Sequence, residues 1–369
     1  MDANPALDDG VYRLQLTAHD NNAVASDTLE GWFSYDTTNP ELTNVDTAPT
    51  SGLTLTNTGF SISGEGYDAN ALRSTNPVVI KQKLGSGEKI TLPDVAITVV
   101  DDQNCTWTLA NLPRVPTVAG IGGQVPFDGS RDGLYEYEIT VFDQAGQFSV
   151  ETVTVRLDSR APAITEITTP PASPAAGNVV GTNTTFSGTA QDLAPSGGIA
   201  EVRYSLNGTD WYGAVGTTGW SIQQVFGGAE NEGTKTLRVE AEDNAGNVSP
   251  LVTRNFIFDR ANPTLAITGG AEQFADGEFT LAGTAYDTYG VAQVVVTQVG
   301  DGTVPTGISI GGAAPNYTWN VTGLPRDPGD LSATLVADGE YNYEVHAVDA
   351  AGKLSTIATV KVTIDTTAP

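Results

Sequence analysis

The stretch Asp143-Gln-Ala-Gly-Gln-Phe-Ser-Val-Glu-Thr-Val-Thr-Val-Arg-Leu-Asp158-Ser-Arg-Ala-Pro162 carries a turn, a strand and a break in that order. Asp-x-Ala-Gly supplies turn chemistry, the Val/Thr-rich run that follows suits a pleated strand, and the proline stops it. The phrase recurs. Asp36, Asp158, Asp259 and Asp365 each end a strand-like run (Gly31–Tyr35, Thr152–Leu157, Asn255–Phe258, Val360–Ile364) and lead within four residues to Pro40, Pro162, Pro263 and Pro369. Before each run stands a counterpart of the turn: Asp20-Asn-Asn-Ala, Asp143-Gln-Ala-Gly, Asp243-Asn-Ala-Gly and Asp349-Ala-Ala-Gly. The spacing is roughly 100 to 120 residues, about one domain length, so the chain reads as tandem copies of one module.

Working outward from the turn, alternate residues before each aspartate are apolar. They are Leu14, Leu16 and Ala18; Tyr137, Ile139 and Val141; Leu237, Val239 and Ala241; Tyr343, Val345 and Ala347. The residues between are mostly polar, which is the period of a strand with one buried face. Further upstream, Asp9-Gly-Val-Tyr12, Asp132-Gly-Leu-Tyr135 and Asp338-Gly-Glu-Tyr341 open this strand. The middle copy has Glu232-Gly-Thr with Lys235 in the tyrosine's place. An early strand ends on Gly64, Gly188 and Gly283. A later one carries Trp107, Trp220 and Trp319. Helical periodicity is hard to find, and turn residues bound short Val/Ile/Thr/Tyr runs throughout. About seven strands per copy point to a two-sheet antiparallel sandwich.

These motifs resemble the bacterial immunoglobulin-like repeats of large surface proteins and adhesins. A Gly two residues before a Tyr at the penultimate strand is similar to the tyrosine corner of such sandwiches. The resemblance implies an all-β chain of tandem immunoglobulin-like antiparallel β-sandwiches in an extended rod. The expected division is residues 1–40 as the C-terminal strands of a partial repeat, then repeats at 41–162, 163–263 and 264–369.

Immunoglobulin topology brings the Asp-x-Ala-Gly loop and the loop after the second strand to the end where the preceding linker enters. The second loop carries Asp68, Asp192 and Asp287, each at the same distance from its Gly. Each junction then collects three carboxylates: Asp36, Asp68 and Asp143; Asp158, Asp192 and Asp243; Asp259, Asp287 and Asp349. Close carboxylates repel, and a hard divalent cation with oxygen ligands relieves that cost. The arrangement resembles the interdomain calcium logic of cadherins and large adhesins, which implies Ca²⁺ at the junctions. Two other readings stay open. Each aspartate also suits capping of its own turn, and Arg160 or Arg260 beside the second and third linkers could neutralise the carboxylates instead. The first linker has Thr37 and Thr38 there.

Composition narrows the function. Among 369 residues, 44 acids outweigh 17 bases, giving a net charge of -27, which disfavours nucleic acid and anionic membranes as partners. No apolar run is long enough to span a bilayer, and Met1-Asp2 begins no signal peptide, so the segment reads as cut from something longer. Cys105 is the single cysteine and falls in a strand column, which excludes a disulfide framework. His19 and His346 lie on the polar side of one strand type, with no nucleophile repeated near them. No phosphate-binding glycine loop accompanies Gly120–Gly123 or Gly311-Gly312. The expectation is a non-enzyme: a structural stalk segment, extracellular or on a cell surface, whose partners are neighbouring repeats or copies of itself. The alternatives are a filament subunit that donates residues 1–40 as a hairpin, or a carbohydrate- or protein-binding module using Trp211 and Tyr212.

Overall fold

In the computed structural model, the described residues are 7–117, 120–172, 178–300, 302, 304–327, 330–334 and 337–367. Ala368 and Pro369, which end the fourth Asp-to-Pro phrase, lie outside them, as do Met1 and Asp2. Among the described residues the regular structure is all strand. By contact density the chain parts into two compact units. One is 1–162 with 192–200 and 242–248; the other is 163–191, 201–241 and 249–369.

The alternation read from the sequence becomes sheet faces. The strand Gly133–Phe142 pairs antiparallel with Phe148–Leu157 on one side and Val78–Leu84 on the other. Leu55–Thr56 runs parallel to the end of Phe148–Leu157. The opposing sheet orders Glu41–Ala48, Phe60–Tyr67, Asn104–Leu112 and Ala96–Val99. Ile62, Trp107 and Leu109 from this sheet meet Ile80, Tyr137, Ile139 and Val155 from the other in one core.

Two further sandwiches repeat the plan. In the first, Ala163–Thr169, Asn183–Gln191 and Gly219–Val225 oppose a sheet ordered Val179–Val180, Val252–Phe258, Gly233–Asp243, Ile199–Ser205 and Tyr212–Gly213. In the second, Thr264–Ile267, Phe279–Tyr286, Asn316–Leu324 and Ser309–Ala313 oppose Glu272–Ala275, Ala358–Ile364, Gly339–Asp349 and Val291–Gln298. Both keep the short strand that runs parallel to the last one, a pairing of the immunoglobulin type. The fold class is therefore as the sequence implied: tandem all-β sandwiches.

Two sequence columns explain each other in space. Gly64, Gly188 and Gly283 stand directly across from Trp107, Trp220 and Trp319 in the strand register. A Cβ on those glycines would sit within 2.5, 2.4 and 2.8 Å of the indole rings. Each glycine leaves the space in which the tryptophan lies buried, and each ring seals one core.

The tyrosine corner forms as the motif implied. Tyr135 Oη donates to the Arg131 carbonyl at 2.8 Å and Tyr341 Oη to that of Ala337 at 3.1 Å; Tyr12 Oη donates to that of Asp8. In the middle sandwich Lys235 instead reaches Glu230 at 3.2 Å, and the strand survives without the corner.

The hairpin of Gly10–Leu16 and Leu29–Tyr35 forms a two-stranded sheet of its own. Its Leu14 and Leu16 hold the column of Tyr137 and Ile139, yet they are 61% and 63% exposed where the latter are fully buried.

Candidate metal centres

The topology delivers the carboxylates in threes. Asp36, Asp158 and Asp259 follow directly on last strands, at the start of the linkers. Asp68, Asp192 and Asp287 follow the strands Phe60–Tyr67, Asn183–Gln191 and Phe279–Tyr286. Asp143, Asp243 and Asp349 end or follow the penultimate strands. The structure brings together the three triplets read from the sequence, with ligand oxygens in each group all within 4.8 Å of one another. The first two lie in the first unit and the third in the second unit.

Five of the six loop aspartates cap their own turns, as the capping reading held; Asp192 instead accepts from the Gly198 N–H, six residues on, at 3.1 Å. Asp143 Oδ1 accepts from the backbone N–H of Gly146 at 2.6 Å and of Gln147 at 2.7 Å. Asp243 Oδ1 accepts from Ala245 and Asn247 at 2.8 and 2.9 Å; Asp349 Oδ1 accepts from Ala351 and Lys353, both at 2.8 Å. The turn glycines Gly146, Gly246 and Gly352 have φ of 97°, 88° and 84°, a region glycine enters without strain. Asp68 Oδ1 accepts from Asn70 and Ala71, and Asp287 Oδ1 from Tyr289 and Gly290, all at 2.8 Å.

Capping occupies only one oxygen. Asp68 Oδ2, Asp143 Oδ2, Asp158 Oδ1, Asp192 Oδ1, Asp259 Oδ2 and Asp349 Oδ2 are buried with no hydrogen-bond partner. Asp68, Asp143, Asp158, Asp259 and Asp349 are all at most 2% exposed. A buried carboxylate oxygen without a donor is costly, and buried polar groups are ordinarily satisfied. For Asp68, Asp143 and Asp349 capping accounts for the turn and leaves the second oxygen unmet, whereas Asp243 Oδ2 accepts from Asn247 Nδ2 at 2.8 Å.

The electrostatics follow from that geometry. Burial, reinforced by the charges of Asp287 and Asp349, pushes Asp259 up to about 6. Burial likewise raises Asp68, with the Asp36 and Asp143 charges adding to it against the backbone N–H donors of Asn70 and Ala71. Asp158, Asp192 and Asp349 are raised by burial first, then by charges of their own triplets. Removing water and adding like charge both disfavour the ionised form.

The arginines do not fill the role considered for them. Among the described residues, neither pairs with these aspartates. Arg260 Nε lies 3.9 Å from Glu232, and its Nη1 donates to the Gly228 carbonyl. Arg160 lies over Gly129.

Two features of the linkers went unread in the sequence. The residue after Asp-x-Ala-Gly reaches back to the linker each time. Gln147 Nε2 donates to the Asp36 carbonyl at 3.1 Å, Asn247 Nδ2 to that of Asp158 at 2.9 Å, and Lys353 Nζ to that of Arg260 at 2.6 Å. The shared feature of Gln, Asn and Lys, an N–H donor at the tip of the side chain, was the available signal. The acid that opens the penultimate strand also anchors the linker. Asp9 accepts from Thr37 N and Oγ1, Asp132 from Ser159 Oγ, Glu232 from Arg260 N, and Asp338 from Thr366 N and Oγ1.

Cys105, Trp211 and Tyr212 occupy packing positions among the described residues. Cys105 is buried in Asn104–Leu112, and burial pushes its thiol up. Trp211 lies under the Arg203 guanidinium at 5.9 Å, and Tyr212 packs on Tyr204 at 5.8 Å between ring centres. Among the described residues no helix is long and apolar enough to cross a membrane.

Among curated proteins, none matches this chain in sequence. Solved structures similar to it include a tetra-tandem repeat from the extending region of a large adhesion protein, at 19% identity over 98% of this chain and 84% of that one, TM-score 0.32. Another comes from a 1.5-MDa bacterial ice-binding adhesin, at 17% identity over 89% of this chain and 100% of that one, TM-score 0.30. The fibronectin(III)-like modules of Clostridium thermocellum CbhA align at 15% identity over 55% of this chain and 94% of theirs, TM-score 0.33. Residues 165–239 match the family model of the bacterial Ig domain, and that match falls within the middle of the tandem immunoglobulin-like sandwiches described above.

Proposed function

We propose that this chain is a non-catalytic structural segment of a bacterial surface or secreted adhesin-like protein, and that Ca²⁺ at its three aspartate triplets stiffens the joints between repeats. The observation that carries the reading is the set of buried, unpartnered carboxylate oxygens in groups within 4.8 Å. At about 4 Å each pair of such charges repels by roughly 1 kcal/mol in water and about 4 kcal/mol near a protein surface. An all-oxygen, all-carboxylate donor set suits calcium, which takes six to eight oxygens and accepts backbone carbonyls and water to complete its shell. One linker aspartate and two loop aspartates would hold each ion. The ion would supply the positive charge that neither Arg160 nor Arg260 brings to these oxygens.

Calcium at a hundredfold excess over its dissociation constant stabilises a site by about 2.7 kcal/mol. That suffices to hold two modules in one relation, where an unliganded linker permits motion. The test is melting temperature and maximum dimension by solution scattering, each with calcium and with chelator. The expected result is a higher Tm and a narrower distribution of dimensions with calcium. No change in either would overturn the calcium reading. Asp143→Ala is expected to remove the first site's share while the neighbouring sandwiches stay folded.

A further inference from the structure

We propose that the three cation sites are graded, and that the third is the weakest because the chain places a cation of its own beside it, Lys353. This rests on the calcium reading above. The tethers from the Asp-x-Ala-Gly turns to the linkers are equivalent in position but not in charge. Gln147 and Asn247 offer neutral amides to the carbonyls of Asp36 and Asp158, whereas Lys353 offers an ammonium to that of Arg260. Asp349, whose Oδ1 accepts from the Lys353 backbone N–H, is itself a member of the third triplet.

Other charges near the third triplet offset one another. Arg260 faces Glu232 at 3.9 Å, so Lys353 is left as an uncompensated positive charge against an arriving divalent ion. A divalent ion about 8 Å from one ammonium is disfavoured roughly fivefold even in the dielectric of water, and more when partly buried. The same ammonium relieves some carboxylate repulsion when no ion is bound. The third joint is therefore held in part without calcium, while the first two depend on it.

The experiment is calorimetric titration of the chelator-stripped full chain with calcium chloride at low ionic strength, with sites assigned by Asp143→Asn, Asp243→Asn and Asp349→Asn. The expected result is two tight sites and one weak one, with the weak one lost in Asp349→Asn. Lys353→Gln, which keeps a donor for the tether, is expected to tighten the third site at least fivefold. Gln147→Lys is expected to weaken the first site by a similar factor. Three sites of equal strength, or a weak site elsewhere, would overturn the grading and leave the calcium reading standing. So would unchanged affinities in both charge variants. Absence of binding at every site would overturn both.

Discussion

Replacing Asp259 by Asn gives the sharpest separation between a metal ligand and a turn residue. Its side chain is fully buried, and burial with the charges of Asp287 and Asp349 holds it at about 6 against an ordinary 3.8. Each unit is worth about 1.36 kcal/mol, so the ionised carboxylate costs the calcium-free fold at most about 3 kcal/mol at neutral pH. The sign is that of a raised acid. Between roughly pH 4 and 6 the folded chain holds a proton that the unfolded chain releases, so stability falls as pH rises through this window and levels off above it. In chelator, acidification from about pH 7 to about pH 5 is therefore expected to stabilise the wild-type third sandwich.

Asp259→Asn keeps an oxygen for the Ala261 N–H at 3.1 Å and removes the charge at the unpartnered Oδ2. In chelator it is expected to raise stability toward that 3 kcal/mol limit and to remove the Asp259 share of the pH slope, leaving that of Asp349. Each kcal/mol moves the melting of a domain of this size by about 4–8 °C. In excess calcium the sign inverts, because the variant lacks a ligand charge. Scanning calorimetry of the two proteins in both conditions reads the outcome. If the variant destabilises equally with calcium and with chelator, the carboxylate serves only the turn, and the argument from its orphaned oxygen is wrong.

Two further outcomes test the fold that positions these sites. Gly188→Ala puts a Cβ 2.1 Å from the Glu166 carbonyl and 2.4 Å from the Trp220 ring, so a loss of about 1–3 kcal/mol or more is expected in the middle sandwich; an unchanged melting transition would refute the close packing. Tyr135→Phe removes the 2.8 Å bond to the Arg131 carbonyl and is expected to lower the first sandwich's stability by about 0.5–1.5 kcal/mol, read as a lower denaturant midpoint at constant m-value, and a midpoint equal to wild type would show that the corner contributes nothing.

The sequence by itself determined the strands and the grouping of the acids. Period-two alternation before Asp143, Asp243 and Asp349 is a local property, because a strand's faces follow from its own pleat. The repeat made Asp68, Asp192 and Asp287 recognisable by their fixed distance from a glycine, and immunoglobulin topology then assigned them to triplets. What only the tertiary structure decided was the state of each atom. Whether Asp143 is a cap or a ligand turns on its two oxygens separately: one meets the backbone of Gly146 and Gln147, the other is buried and unmet. No spacing rule encodes that. The pairing of Gly64 with Trp107 rests on cross-strand register between residues far apart in the chain, and the tether from Gln147 to Asp36 on a side chain's direction across 111 positions. Arg160 and Arg260 lie within two residues of linker aspartates in sequence, yet they turn to Gly129 and Glu232; for Arg260, directly after Asp259, the alternation of successive side chains along an extended chain accounts for it.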